Sequence, residues 1–414
     1  MTRPTLQHHA FDVQKIRAQF PALQQTIHGK PLTYLDNAST TQKPQVVLDA
    51  LLHYYQHHNA NVHRAIHALA DKATEALETT RRSAQAFIHA AEPEEIIFTA
   101  GTTVSINLVA NSYGQTFVQA GDEVIISHME HHANIVPWQL LCQAQGAHLK
   151  VVPISDTGEL IMPAFEELLT TRTKIVAITY ASNILGTINP IQEIVASAHA
   201  AGAVVLVDAS QAAPHLAIDV QDLGCDFLAF SVHKAYGPTG VGILYGRRSL
   251  LERMPPYQGG GEMIKEVTLA KTTYNEIPYK FEAGTPNIAD IVASQAALAF
   301  IEAVGQATMR AHEEQLLSYA HNQLSKLDKV QLIGTAPSKI GVVAFNVPSM
   351  HHLDVGALLD AQGIAVRTGH GCAQPLMHRF GVDGVVRASF AVYNTLQEVE
   401  QFITAVAKLT QEKK

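Results

Sequence analysis

Residues 204–234, VVLVDASQAAPHLAIDVQDLGCDFLAFSVHK, decide the fold. They hold two apolar runs of strand length, 204–207 and 227–230, rich in residues that favour extended backbone. A strand apolar at every position is buried on both faces of its sheet. Five more runs repeat the pattern, at 95–98, 123–127, 149–152, 175–178 and 241–245. Between them lie segments with Ala, Glu and Gln at helical spacing, such as 191–201 before Gly202. The alternation predicts an α/β fold with a seven-stranded, mainly parallel sheet.

After Tyr245 the rhythm changes. Pro255-Pro256, then Gly259-Gly260-Gly261, then 277–286 read as long irregular structure. Helices are expected at 287–304 and on to about 327, then near Asp354 and Glu398, with short strands at 330–333, 341–347, 364–367 and 385–390. The expected organisation is an N-terminal segment, 1–30, packing with a small domain; a large domain, 31–290; and a smaller C-terminal α/β domain, 291–414.

Composition narrows the function. The chain has 414 residues, 47% apolar and 16% charged, which excludes a disordered polypeptide. Its 29 basic and 37 acidic residues leave a net charge of −8, against a general nucleic-acid binder. No apolar run reaches the roughly 18 residues of a membrane span, and the first residues carry no hydrophobic signal segment. The three cysteines, Cys142, Cys225 and Cys372, are far apart, so neither a zinc ribbon nor a disulfide framework is expected and a reducing cytoplasm fits best. The doublets His8-His9, His57-His58 and His351-His352 lack ligand spacing, so no metal is expected.

Six sites carry chemistry, each against a plainer alternative. Ser231-Val-His233-Lys234 follows the 227–230 strand, and ligand sites of open α/β sheets lie at carboxyl strand ends. A lysine there with a lowered pKa forms a Schiff base with an aldehyde cofactor; taken alone, a surface lysine is commoner. Asp208 ends the 204–207 strand near the same edge and would keep a pyridine nitrogen protonated, although an ordinary helix cap reads equally well. The pair of strand-end residues shifts the balance. Gly101-Thr102-Thr103 opens a helix after a strand and suits a phosphate, or simply caps the helix. His131, in Glu130-His131-His132-Ala-Asn134, offers a planar ring and proton shuttling, or a polar loop. Cys372 sits in Arg367-Thr-Gly369-His370-Gly371-Cys372-Ala-Gln-Pro375, a loop whose cations favour a thiolate, where a packed cysteine is the plainer reading. Arg387 presents a fork for a carboxylate, or a surface ion pair.

Together with Tyr34-Leu-Asp-Asn-Ala-Ser-Thr40, Asn61-Val-His-Arg-Ala-Ile-His67, Asp208-Ala-Ser-Gln211 and Gly284-Thr285-Pro286, these segments make the chain resemble the pyridoxal-phosphate-dependent cysteine desulfurases, group II, within the class V aminotransferase-like proteins of fold type I. The resemblance runs from about Phe11 to about Leu409. It implies that Lys234 is the Schiff-base lysine, that Asp208 meets the pyridinium nitrogen and that Gln211 meets the ring hydroxyl. It gives His131 the ring face, and Thr102, Thr103, Ser231 and His233 the phosphate, with Thr285 from the other subunit of a homodimer. Asn183 and Arg387 would hold the carboxylate of L-cysteine, His63 and Arg367 would line the pocket, and Cys372 would take the sulfur as a persulfide. A SufE- or SufU-like sulfur acceptor, serving iron–sulfur cluster assembly, is implied as partner. The chain departs from the family at Ala100, commonly Arg, at Val104, commonly Glu, and at Gly371, commonly His in group II. Selenocysteine lyase or cysteine sulfinate desulfinase activity on the same frame stays open, as do an aminotransferase and a non-catalytic assembly scaffold.

Overall fold

All seven expected strands form, and they share one sheet. The computed structural model describes residues 11–411, so the His8-His9 doublet lies outside the described residues. The strands are β1 (Ile96–Thr99), β2 (Glu123–Ser127), β3 (His148–Val152), β4 (Thr173–Thr179), β5 (Val204–Asp208), β6 (Phe227–Ser231) and β7 (Gly242–Gly246). Their order is β1-β7-β6-β5-β4-β2-β3. Neighbours from β6 to β3 run parallel, while β7 is antiparallel to both β1 and β6.

The continuous apolar runs are explained by cores on both faces. Val205 and Val207 join one buried cluster and Leu206 the other; Leu228 and Phe230 oppose Phe227 and Ala229 in the same way. Side chains alternate between faces along a strand, so two cores demand an apolar residue at every position. Polar residues are therefore displaced to the strand ends. The register then gathers them: Thr179 lies beside Asp208, and Asp208 beside Ala229, two residues before Ser231. Helix α1 (Thr102–Val109) starts at the end of β1.

Helices α2 (Ile288–Val304) and α3 (Gln306–Leu324) follow as expected. The buried side of α2, including Ile291, Ala297 and Ile301, belongs to the large-sheet core, so the 290/291 boundary falls inside a helix packed on that sheet. No single helix among the described residues is long and apolar enough to cross a membrane, and α2 and α3 are bent by 75° to each other.

Residues 255–286 are less irregular than expected, because β8 (Ile264–Val267) and β9 (Thr272–Tyr274) form an antiparallel hairpin. Neither strand is buried, so no alternation of apolar residues announces it. The smaller unit is built on an antiparallel sheet of β10 (Gln331–Ile333), β11 (Val342–Asn346), β12 (Arg367–Gly369) and β13 (Val385–Ser389), ordered β10-β11-β13-β12. The single strand expected at 364–367 divides. Ile364–Ala365 pairs with Thr33–Tyr34, and β12 pairs with β13, so one run of sequence serves two sheets.

The N-terminal segment touches both units. Phe20 packs on Phe300, Tyr236 and Tyr393, while Arg17 pairs with Glu398 at 2.9 Å.

One buried ion pair anchors β1, and through it the start of α1. Arg81 is 1% exposed, bonds both carboxylate oxygens of Glu282 at 2.8 and 2.9 Å, and donates to the Ile96 carbonyl at 2.8 Å. Glu282 Oε1 also accepts from the Phe98 N–H at 2.7 Å. Arg81→Ala would strand a buried carboxylate, an expected loss of about 3–5 kcal/mol. A lower denaturant midpoint checks it; an unchanged midpoint would show that the pair does not hold the strand.

Candidate active site

A cavity of about 350 Å³ opens at the carboxyl edge of the sheet. Lys234, Asp208, His131, Thr102, Thr103, Gln211, Ser231, His233, Asn183, Arg367, Arg387 and Cys372 all line it. Twelve of the fourteen residues singled out in the sequence are thus brought to one cavity. The other two are not. His63 is held by Tyr279 at 5.2 Å between ring centroids and by Glu78 at 3.8 Å, outside this cavity, and Thr285 is exposed beyond its lining.

The phosphate-type corner is built where β1 turns into α1. Gly101 has φ +145°, a conformation side chains disfavour, and its turn presents the Thr102 N–H to Ser231 Oγ at 2.8 Å. Ser231 Oγ also lies 2.8 Å from Thr102 Oγ1, which accepts from Ser210 Oγ at 2.9 Å. Hydroxyls and free helix N–H groups converge there, an arrangement suited to an anion.

Lys234 lies between opposing influences. Burial lowers its pKa and Arg387 adds to this, while Asp208 and Cys372 oppose. The outcome is a lowered pKa, which favours a nucleophilic amine. His131 accepts from the Ala133 N–H through Nδ1 at 3.0 Å, and burial, with help from Lys234, lowers its pKa to about 4. His233 is lowered to about 4 by burial and by Lys234. Both imidazoles are neutral at physiological pH, so Asp208 faces Lys234 without cationic imidazoles as competitors.

Beneath His131 lies a residue the sequence reading passed over. Glu130 is fully buried, accepts from Ser127 Oγ at 2.5 Å, the Thr179 N–H at 3.0 Å and Asn134 Nδ2 at 2.7 Å, and burial raises its pKa to about 8. It ties the ends of β2 and β4 to the turn that carries His131.

The opposite wall comes from the smaller unit. Arg367 and Arg387 stand directly across β12 and β13 and share the Asp36 carboxylate, at 2.7 and 2.9 Å. Ser39 Oγ accepts from both, at 2.9 and 2.6 Å. Two guanidinium groups against one carboxylate leave a net positive charge, ready for a substrate carboxylate. Nothing local in the 34–40 stretch marks Asp36 and Ser39; their role needs a contact across some 350 residues of chain.

Cys372 ends a short loop between β12 and the helix Gln374–Phe380. Its backbone has φ +58°, its carbonyl accepts from the His132 N–H at 2.7 Å, and its N–H donates to His370 Nδ1 at 3.0 Å. Gly371 accepts from Asn183 Nδ2 at 2.8 Å, and a Cβ on it would come within 2.3 Å of Ile184 Cδ1. Gly371 also has φ +52°, in the left-handed region, so glycine suits this place. Ala100 and Val104, the other departures, line a separate cavity of about 260 Å³.

The residues fit pyridoxal phosphate on their own chemistry. Gln211 Oε1, Asn183 Oδ1 and Arg387 Nε are buried without partners, and all three residues line this one cavity. Unpaired buried polar atoms are costly and uncommon, so their convergence marks a place for a polar ligand.

Comparison with known proteins agrees. The class-V aminotransferase family model matches residues 33–402. A cysteine desulfurase of Dickeya dadantii is 50% identical over 400 residues, covering 96% of this chain and 97% of that protein. A probable cysteine desulfurase 1 of Mycobacterium leprae is 53% identical over 97% of this chain, which spans 66% of that longer protein's length. The chain likewise spans 59% of a probable cysteine desulfurase of Mycolicibacterium paratuberculosis. The crystal structure of the cysteine desulfurase CsdA of Escherichia coli matches with a TM-score of 0.90 at 39% identity, covering 97% of this chain and 98% of that one. This chain belongs to the class V aminotransferase family, with the fold type I architecture of pyridoxal-phosphate enzymes, and within that family to the cysteine desulfurases.

The thiols differ sharply. Cys142 and Cys225 are buried, with pKa values pushed up to about 11 and 12, while Cys372 is exposed. A native-state thiol titration is expected to count one fast-reacting cysteine per chain, and none in Cys372→Ser. Two fast thiols, or an unaltered count in the variant, would refute this arrangement.

Proposed function

We propose that the chain converts L-cysteine to L-alanine, captures the sulfur as a persulfide on Cys372 and passes it to a SufE- or SufU-like acceptor for iron–sulfur cluster assembly. The observation that carries this reading is the placement of an exposed cysteine in the same cavity as a buried strand-end lysine and aspartate. An aminotransferase has no use for that thiol.

In this reading Thr102, Thr103, Ser231 and His233 hold the cofactor phosphate, with Thr285 of a second subunit joining them. Asp208 would pair with the ring nitrogen and Gln211 would hydrogen-bond the ring hydroxyl. When bound, pyridoxal phosphate supplies an electron sink for the substrate's Cα. Lys234, its pKa lowered, holds the cofactor and moves the Cα proton. Neutral His131 offers a flat face to the ring. Arg387, Arg367 and Asn183 orient the substrate carboxylate, placing its sulfur toward Cys372. The Cys372 thiolate forms an S–S bond to that sulfur as the Cβ–S bond breaks, and the bond's electron pair leaves with the carbon skeleton, which is protonated to alanine.

The homodimer rests on Thr285, exposed here, and on the large apolar residues Ile66 and Leu269, fully exposed on this chain. The division into a segment to residue 30, a large cofactor domain and a small domain carrying Cys372 is part of the same reading, as is a cytoplasmic location.

Three measurements test it. Lys234→Ala is expected to lose both alanine formation and the near-visible absorbance of lysine-bound cofactor; a variant that still turns over would remove the assignment. Cys372→Ser is expected to keep that absorbance and lose alanine formation from cysteine, with a smaller loss on selenocysteine, whose C–Se bond is weaker. Unchanged desulfuration would contradict it. The Cys372 loop is tied down at His132, Asn183 and His370, so it cannot carry sulfur far. Alanine production is therefore expected to be slow alone and to rise many-fold with the acceptor, but not with an acceptor lacking its cysteine. Equal rates would mean that the loop delivers its own sulfur.

A further inference from the structure

Helix α3 and the loop 334–340 line a second cavity, of about 450 Å³, that shares no residue with the first. Arg310, Glu314, Ser318 and His321 line it from the helix, Thr335 and Lys339 from the loop. Lys339 is 5% exposed, and its ammonium has one hydrogen bond, to the Gly334 carbonyl at 2.6 Å. Among the described residues no carboxylate lies within ion-pair distance of it. Burial holds its pKa down to about 8, as expected of a cation lacking a counter-charge. Arg310 spends Nε on Glu314 at 2.6 Å, but its Nη1 is buried and unpaired. Burial and Lys339 both lower the pKa of His321.

Two cations, an imidazole and two hydroxyls thus face one carboxylate that is already engaged. The buried ammonium without a counter-charge and the unpartnered guanidinium N–H stand at one cavity in a chain of net charge −8. A guanidinium edge beside an ammonium and hydroxyls suits a tetrahedral oxyanion, which accepts from several directions at once.

We propose that this cavity is a binding site for a phosphate group, free or carried on a small ester. It stands apart from the chemistry but is joined to it by backbone. The loop bridges Lys339 to Thr187, and Ser338 accepts from the Ile188 N–H at 3.0 Å, in the segment that begins with Asn183.

Calorimetric titration of the holoenzyme, its own cofactor cradle filled, with inorganic phosphate, glycerol phosphate and acetate at matched ionic strength tests it. Saturable binding of one phosphate per chain is expected, with acetate weak. Arg310→Gln and Lys339→Gln are each expected to weaken it about tenfold or more, the cost of losing a charge-assisted hydrogen bond. Arg310 is partly exposed, so its variant stays informative should the buried Lys339 substitution impair folding, and unchanged near-visible absorbance certifies the fold. Tighter binding of the ester assigns the site to a carried phosphate, and the reverse to the free anion. No saturation at millimolar phosphate, acetate binding as tight as phosphate, or equal affinity in Arg310→Gln would overturn the proposal.

Discussion

The burial of the sheet's inner strands on both faces is the constraint from which the rest follows. A strand between two cores has no place for a polar side chain along its length, because each position faces one core or the other. Charge and hydroxyl groups are therefore pushed to the ends. Parallel pairing then aligns those ends, so that Thr179, Asp208 and Ser231 finish along one edge and Lys234 follows three residues later. The candidate site is the edge of a core that admits no polar groups.

The second wall depends on a single anion. Two arginines opposed on antiparallel strands repel, and Asp36, arriving from the start of the chain, holds both. That contact helps seat the small unit against the large one and leaves one unit of positive charge in the cavity. Structure and binding are thus served by the same groups, and the orphaned Nε of Arg387 is the remainder.

The electrostatics of the cavity come from depth as much as from neighbours. Burial is the first cause of the lowered pKa values of Lys234, His131 and His233, and of the raised value of Glu130. Each shift moves its group toward neutrality, as the low dielectric demands. Asp208 shares the cavity with Lys234, and the proposed chemistry uses that pair.

The sequence alone determined the seven strands, since continuous β-branched runs have one interpretation when they alternate with helices. It also marked Lys234, Asp208 and Cys372, because strand-end position and glycine neighbours are local properties. The β8–β9 hairpin stayed hidden because exposed strands need no apolar alternation. The partnership of Asp36 and Ser39 with Arg387, the buried Glu130 and the cavity around Lys339 were decided by tertiary structure. They depend on side chains meeting across long separations and on depth from solvent, and neither is a property of any local stretch of chain. The same holds for His63, whose sequence block carries the resemblance yet whose ring the fold sets on Tyr279, away from the cavity.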